Sequence, residues 1–182
     1  MDADPQVLAL PAREGRAARW ALAAVAAAAL VALFYPRGAE PPARPGGFLV
    51  DGEGRAVSVL AELTQPTLVH FWATWCPPCR TELPALVRFA RDRSAAGPGV
   101  LFVAVGDEPG AARRFLAAED QRLLFDPAWE VAHRFRTDKL PETHLVVAGQ
   151  IVRSFVGATP WGDAQVAREV QKWTATPTSV AP

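Results

Sequence analysis

The sequence predicts an α/β fold in which a central mixed sheet is flanked by helices, with an N-terminal β-hairpin extension and an N-terminal transmembrane anchor ahead of it. Three observations carry this. Two near-continuous apolar runs of strand length, LVHFWA at 68–73 and VLFVAV at 100–105, fit strands covered on both faces. Between them Cys79, Leu83, Leu86, Val87 and Ala90 follow the helical period. Near the N-terminus an uncharged stretch, residues 20–35, sits between arginines. A chain of 182 residues that is 50% hydrophobic supplies one domain with a real core. Nineteen Lys plus Arg balance nineteen Asp plus Glu, so no basic excess exists to neutralise a phosphate backbone, and nucleic acid is not an expected partner.

Taken in order, residues 1–19 carry Arg13, Arg16 and Arg19 and are expected on the cytoplasmic side. Residues 20–35 follow as a transmembrane anchor or signal segment. Sixteen residues, half of them alanine, are short for a bilayer span, but aromatic residues at both edges and the lack of a small-x-small cleavage site favour an uncleaved anchor. The Pro- and Gly-rich stretch 36–46 reads as an extended linker, and the folded domain is expected over 47–173. Its first feature is a hairpin of 48–50 and 56–60 around the turn signals of DGEGR. The helix after strand 68–73 ends before Gly97, Pro98 and Gly99. A second helix over 109–120 takes Asp107 as its cap candidate and turns Phe115 and Leu116 inward; a short RLLF strand follows. A brief helix over 127–135 precedes a hairpin of THLVV and IVRSF joined by Ala148, Gly149 and Gln150. Thr159 and Pro160 open a last helix that buries Val166, Ala167, Val170 and Trp173, and 174–182 is expected to be a disordered tail.

The chemistry centres on Cys76-Pro77-Pro78-Cys79, placed where a buried strand meets a helix N-terminus. The macrodipole and the free N–H groups of the first turn favour a thiolate at Cys76, which makes it the nucleophile. Cys79, one turn on, faces inward and can resolve a mixed disulfide, so the pair cycles between dithiol and disulfide. Covalent haem attachment fails because Arg80 stands where His is needed. Structural zinc would have to recruit two of His70, His133 and His144 from separate elements. A copper(I) site on both thiolates, with His144 nearby, stays open as an alternative. A purely structural bridge over so short a loop removes little unfolded-state entropy.

WATWCPPC followed by RTELP, the apolar strand before it, and a later Leu-Pro-Glu-Thr ahead of another strand resemble the membrane-anchored thioredoxin-fold proteins of the bacterial periplasm, the TlpA, ResA and CcmG group. The resemblance covers about residues 47–173. It implies a thioredoxin-like fold and a thiol:disulfide oxidoreductase, usually a reductant of protein disulfides in cytochrome c maturation or copper-centre assembly. Implied partners are substrate proteins with disulfides or thiols and a membrane thiol transporter of the DsbD or CcdA type as electron donor. The implied location is the bacterial inner membrane, single-pass, with the catalytic domain in the periplasm. No cofactor or metal is expected beyond the redox-active pair Cys76–Cys79. A copper(I)-binding chaperone, or an oxidase or isomerase of secreted proteins, stands as the alternative.

Carried over residue by residue, Cys76 matches the exposed attacking cysteine, Cys79 the buried resolving one, Pro141 the cis-proline that faces the disulfide, and Pro84 a helix-kinking proline. Glu82 matches an acidic residue near the active site that influences thiol ionisation; without the resemblance it reads as a solvated helix position. The family pattern Gly-Val-x-Gly-x-Pro is replaced by Arg136, Thr137, Asp138, Lys139 and Leu140 before Pro141, which removes both glycines and brings Arg136 and Lys139 to the loop. Trp75, beside Cys76, is read as a contact for partner proteins, and Trp72 as core. His70 holds the position of the buried aspartate of thioredoxins and, by strand alternation, shares a face with Trp72. It is read either as a base for the proton of Cys79 near neutral pH or, equally, as a buried neutral histidine satisfied by backbone partners. His144 reads as a satisfied strand histidine.

Overall fold

A computed structural model describes residues 20–21, 25–26, 45–93, 97–116 and 121–174. The chain divides into two units, 1–42 and 43–182. In the first, Trp20, Ala21, Val25 and Ala26 are helical; the rest of the expected cytoplasmic segment, anchor and linker up to residue 44 lies outside the described residues, as do 117–120 of the second expected helix and 175–182 of the expected tail. Among the described residues no helix is long and apolar enough to cross a membrane.

The second unit is built on one seven-stranded sheet. Its strands are β1 (Phe48–Val50), β2 (Ala56–Ser58), β3 (Thr67–Trp72), β4 (Gly99–Val105), β5 (Arg122–Asp126), β6 (Glu142–Val147) and β7 (Gln150–Val156), in the spatial order β2-β1-β5-β4-β3-β6-β7. The helices are α1 (Val59–Glu62), α2 (Pro77–Arg93), α3 (Pro109–Leu116), α4 (Glu130–Arg134) and α5 (Ala164–Thr174). β3, β4 and β5 run parallel; β6 pairs antiparallel with β3, and β7 with β6. The hairpin β1–β2 attaches at the other edge through the antiparallel pair Val50–Phe125.

All six residues of β3 are buried, as the unbroken apolar run requires. Alternation divides them. Leu68 and Trp72 pack with Leu83, Leu86 and Phe89 of α2, Ala112 and Leu116 of α3, and Val170 of α5, while Val69 and Phe71 pack with Val59 of α1 and Val131, Ala132 and Phe135 of α4 and its end. Trp72, Phe71 and Phe102 are the largest fully buried side chains, and each contributes roughly 1.5–3 kcal/mol by leaving water. β6 and β7 meet at a two-residue turn, Ala148 and Gly149, both with positive φ as the right-handed twist of a hairpin demands.

Several boundaries differ from the sequence reading. Residues 59–60 leave the hairpin for α1, where the Val59 N–H bonds the Gly47 carbonyl. The cap of α3 is Glu108, whose carboxylate takes the N–H groups of Gly110 and Ala111, and Asp107 turns to another partner described below. The last helix begins at Ala164, with Asp163 accepting the Gln165 N–H. Residues 160–163 form a separate turn that carries Trp161 into the core. Trp173 is correspondingly 37% exposed instead of buried, on the outer side of α5 beside Glu169.

Candidate functional site

Cys76 ends the segment after β3 and occupies the cap position of α2. Its own N–H bonds the Ala73 carbonyl, its carbonyl accepts the Arg80 N–H, and its Sγ accepts the N–H of Cys79 at 3.3 Å. Pro77 and Pro78 supply no N–H, so the Cys79 N–H is the first backbone donor the turn offers the sulfur. Cys76 and Cys79 are joined in a disulfide, with Cα atoms 5.3 Å apart. Cys76 is more enclosed than expected, 4% exposed, yet it is the one of the pair with accessible surface, for Cys79 has none. Pro84 lies inside α2, as expected.

The approach to Cys76 is tied to the β4–α3 connection. Asp107 accepts the Thr74 N–H at 2.5 Å and its hydroxyl at 2.8 Å, and the Trp75 indole N–H bonds the Gly106 carbonyl at 3.0 Å. Trp75 remains 55% exposed. On the other side, the pairing of Phe71 with Glu142 places Pro141, at the head of β6, at the same end of the sheet as the cysteines. The Leu140–Pro141 bond is cis.

The loop before Pro141 keeps its course without the two glycines. Arg136 adopts the left-handed conformation itself, with φ of 63°. The Thr137 N–H bonds the Ala132 carbonyl, and its buried hydroxyl meets His144 Nε2 at 2.8 Å. His144 Nδ1 bonds the Ser154 hydroxyl at 2.8 Å. Burial pushes His144 down to about 4 and Glu142 upward, so their 3.7 Å approach is between groups that favour their neutral forms and not a strong ion pair. His144 packs on Phe71 and Phe135, across the sheet from α2, and both its ring nitrogens are engaged. The copper(I) set that would add His144 to the two thiolates is therefore not assembled.

His70 is fully buried on the α2 side, edge-on to Phe102, with Nδ1 2.8 Å from the Thr143 hydroxyl and Nε2 without a partner. Burial pushes it down to about 3. A side chain with no accessible surface and no carboxylate partner favours its neutral form, which weighs toward the reading of His70 as a buried neutral histidine and against the proton-accepting one.

Glu82 also departs from its solvated reading. It is 4% exposed, accepts the Trp161 indole N–H, and leaves Oε2 without a partner. Burial raises it to about 7, against the pull of that indole and of the Thr159 N–H. Burial thus brings the ionisation of the Glu82 carboxyl toward neutral pH while it carries that of His70 away from it. Sequence reasoning missed Trp161 and Thr137, whose roles depend on contacts 79 and 7 residues away. It saw Asp107 as a helix cap when its main contact is Thr74.

A parallel β3–β4–β5 core closed by antiparallel β6 and β7, with a disulfide at the head of the helix after β3 and a cis-proline at the head of β6, defines a thioredoxin-fold domain. The chain belongs to the AhpC/TSA family, whose model matches residues 45–155. It is 36% identical over 101 residues to a thiol:disulfide interchange protein DsbE homolog of Paracoccus denitrificans, covering 52% of this chain and 54% of that protein. It is also 36% identical over 94 residues to the thiol:disulfide interchange protein HelX of Rhodobacter capsulatus, covering 50% and 51%. The chain thus spans about half the length of these curated relatives. Among solved structures, a thiol:disulfide interchange protein of the thioredoxin family from Chlorobium tepidum superposes with a TM-score of 0.59 at 21% identity, over 76% of this chain and 99% of that one, which shows the shared fold.

Proposed function

We propose that this protein is an extracytoplasmic thiol:disulfide oxidoreductase that reduces disulfides of other proteins, in cytochrome c maturation or copper-centre assembly. The observation that carries the reading is the Cys76–Cys79 disulfide at the head of α2, with Cys76 at the cap and Cys79 sealed beneath it. In the reduced form the Cys76 thiolate attacks one sulfur of a partner disulfide. A Cys76–partner S–S bond forms and the partner's other sulfur leaves as a thiolate. The Cys79 thiolate then attacks the Cys76 sulfur and expels the partner's second thiolate. Two electrons have passed to the partner and the Cys76–Cys79 bond is restored. The proton that Cys79 gives up leaves a buried site, and Glu82 is the nearby group whose ionisation near pH 7 suits it to that transfer. Trp75 offers indole surface to the partner, and the backbone beside Pro141 offers it an edge to pair with.

In this reading residues 20–35 anchor the chain in the bacterial inner membrane, the domain faces the periplasm, and a membrane thiol transporter of the DsbD or CcdA type returns electrons to the disulfide. The chemistry uses no bound cofactor. The reducing direction rests on the two prolines: with a single backbone donor in reach, the thiolate of Cys76 is less stabilised than at a helix start with a full set of N–H groups. Equilibration against glutathione or dithiothreitol tests it. The expected potential is close to the roughly −270 mV of thioredoxin; a value near the roughly −120 mV of DsbA contradicts the reductant reading.

A further inference from the structure

Trp129 is a bulky residue in the left-handed region, with φ of 63° at the cap of α4, a conformation such side chains rarely hold unless their surroundings fix it. Here the surroundings do. The Trp129 carbonyl accepts the His133 N–H at 2.9 Å, and its indole lies against Gly106, where any Cβ would come within 2.9 Å of Nε1. The indole stands 6.3 Å from the Trp75 ring on one side and is stacked on the His133 ring at 5.9 Å and 29° on the other. Trp75 is pinned in turn by its bond to the Gly106 carbonyl. The three rings form a row that starts at the residue before Cys76. Both ends are open, Trp75 at 55% and the His133 side chain at 60%.

The two connections that carry the row are acidic. The connections 106–109 and 126–130, which carry Gly106 and Trp129, contain Asp107, Glu108, Asp126 and Glu130 and no Lys or Arg. Asp138 lies 3.9 Å from His133 Nε2. Arg114 reaches Glu108 at 3.9 Å, Asp107 is held by Thr74, Asp126 is buried, and Arg134, Arg136 and Lys139 follow on α4 and the next loop; Asp138 is the carboxylate beside the His133 ring.

We propose that the Trp75–Trp129–His133 row is the docking strip for the substrate polypeptide and that it selects segments with an arginine or lysine beside the reactive cysteine. The proposal rests on the oxidoreductase reading, which fixes the occupant: a chain bonded through its cysteine to Cys76 must cross the neighbouring Trp75. A cation there meets the open face of the Trp75 indole, which Trp129 backs, and the carboxylate of Asp138 at the His133 end. Trp129 and His133 join Trp75 only through the fold.

The test uses the full-length chain with Cys79→Ser, reduced, and three short peptides that differ only in an Arg, Ala or Glu next to their one cysteine. Each peptide is activated as a mixed disulfide with nitrothiobenzoate. Cys76 attacks the peptide sulfur, nitrothiobenzoate leaves as a coloured thiolate, and the protein–peptide adduct is verified by mass. The Arg peptide is expected to react about fivefold faster than the Glu peptide. Trp129→Gly should bring that ratio close to one, and Trp129→Phe should keep most of it. Equal rates for the three peptides in the parent protein, or a preference that survives Trp129→Gly, overturns the strip. Failure of Cys76 to react with any peptide and with the free activated disulfide overturns the oxidoreductase reading itself, a distinct result.

Discussion

On the face of the sheet covered by α1 and α4, buried His144 has both ring nitrogens hydrogen-bonded, to Thr137 and to Ser154. On the face covered by α2, α3 and α5, His70 has one nitrogen bonded and one without a partner. Trp72 Nε1 and Glu82 Oε2 on that same side are likewise unpaired. The two faces are built from the same strands. Buried polar atoms are usually satisfied, and among the described residues the exceptions lie on the side that holds Cys79. His144 serves the shape of the Pro141 loop; the groups under α2 keep hydrogen-bonding capacity that the resting fold does not use.

The largest effect expected from this contrast is in stability. His144→Leu takes a partner from both the Thr137 and Ser154 hydroxyls and should cost about 2–4 kcal/mol, whereas His70→Leu strands one hydroxyl, that of Thr143, removes an unpaired nitrogen as well, and should cost about 1–2 kcal/mol. Denaturant unfolding of the two variants measures the difference, and equal losses would erase the distinction between the faces.

Next comes pH. Glu82, raised to about 7 from an ordinary 4.5, binds its proton more tightly folded than unfolded. Its contribution is therefore full below about pH 4.5 and lost as pH climbs through 7. His70 and His144, pushed down to about 3 and 4, work in the opposite sense: folding holds them neutral, and stability falls as pH drops below about 6.5. Glu82→Gln should make the protein more stable at pH 8 relative to pH 5 by roughly 1–3 kcal/mol compared with the parent, and His70→Asn should flatten the acid limb. A Glu82→Gln curve parallel to the parent's would remove the carboxyl from proton handling.

Much of this was legible in the sequence. The period-two and helical patterns located every strand and four of the five described helices of the domain, because burial on both faces of β3 and β4 leaves an apolar run that little else explains. The Cys-x-x-Cys pair is readable because its chemistry needs two cysteines at a fixed spacing, and the cis-proline position follows from the family resemblance alone. The failures share a cause. Whether Glu82 meets water or Trp161, and whether His70 finds a carboxylate or only Thr143, depends on side chains brought together by the fold from elements far apart in the chain. Likewise, no periodicity shows that Trp129 stacks on His133 and lies tilted against Trp75.

A smaller effect separates backbone from side chain at that position. Trp129→Ala and Trp129→Gly both remove the ring, but glycine tolerates a φ of 63° and alanine resists it. The glycine variant should be more stable by about 1 kcal/mol. Equal melting temperatures would mean the segment relaxes once the indole is gone.

The measurement that bears most directly on the account is a trap of mixed disulfides in cells producing the full chain with one cysteine replaced. With Cys79→Ser, Cys76 can still attack but nothing resolves the product, so partner proteins should accumulate bonded to Cys76 and be released by reductant. With Cys76→Ser, the remaining Cys79 has no accessible surface and should capture few or none. Abundant adducts on Cys79 and none on Cys76 would contradict the assignment.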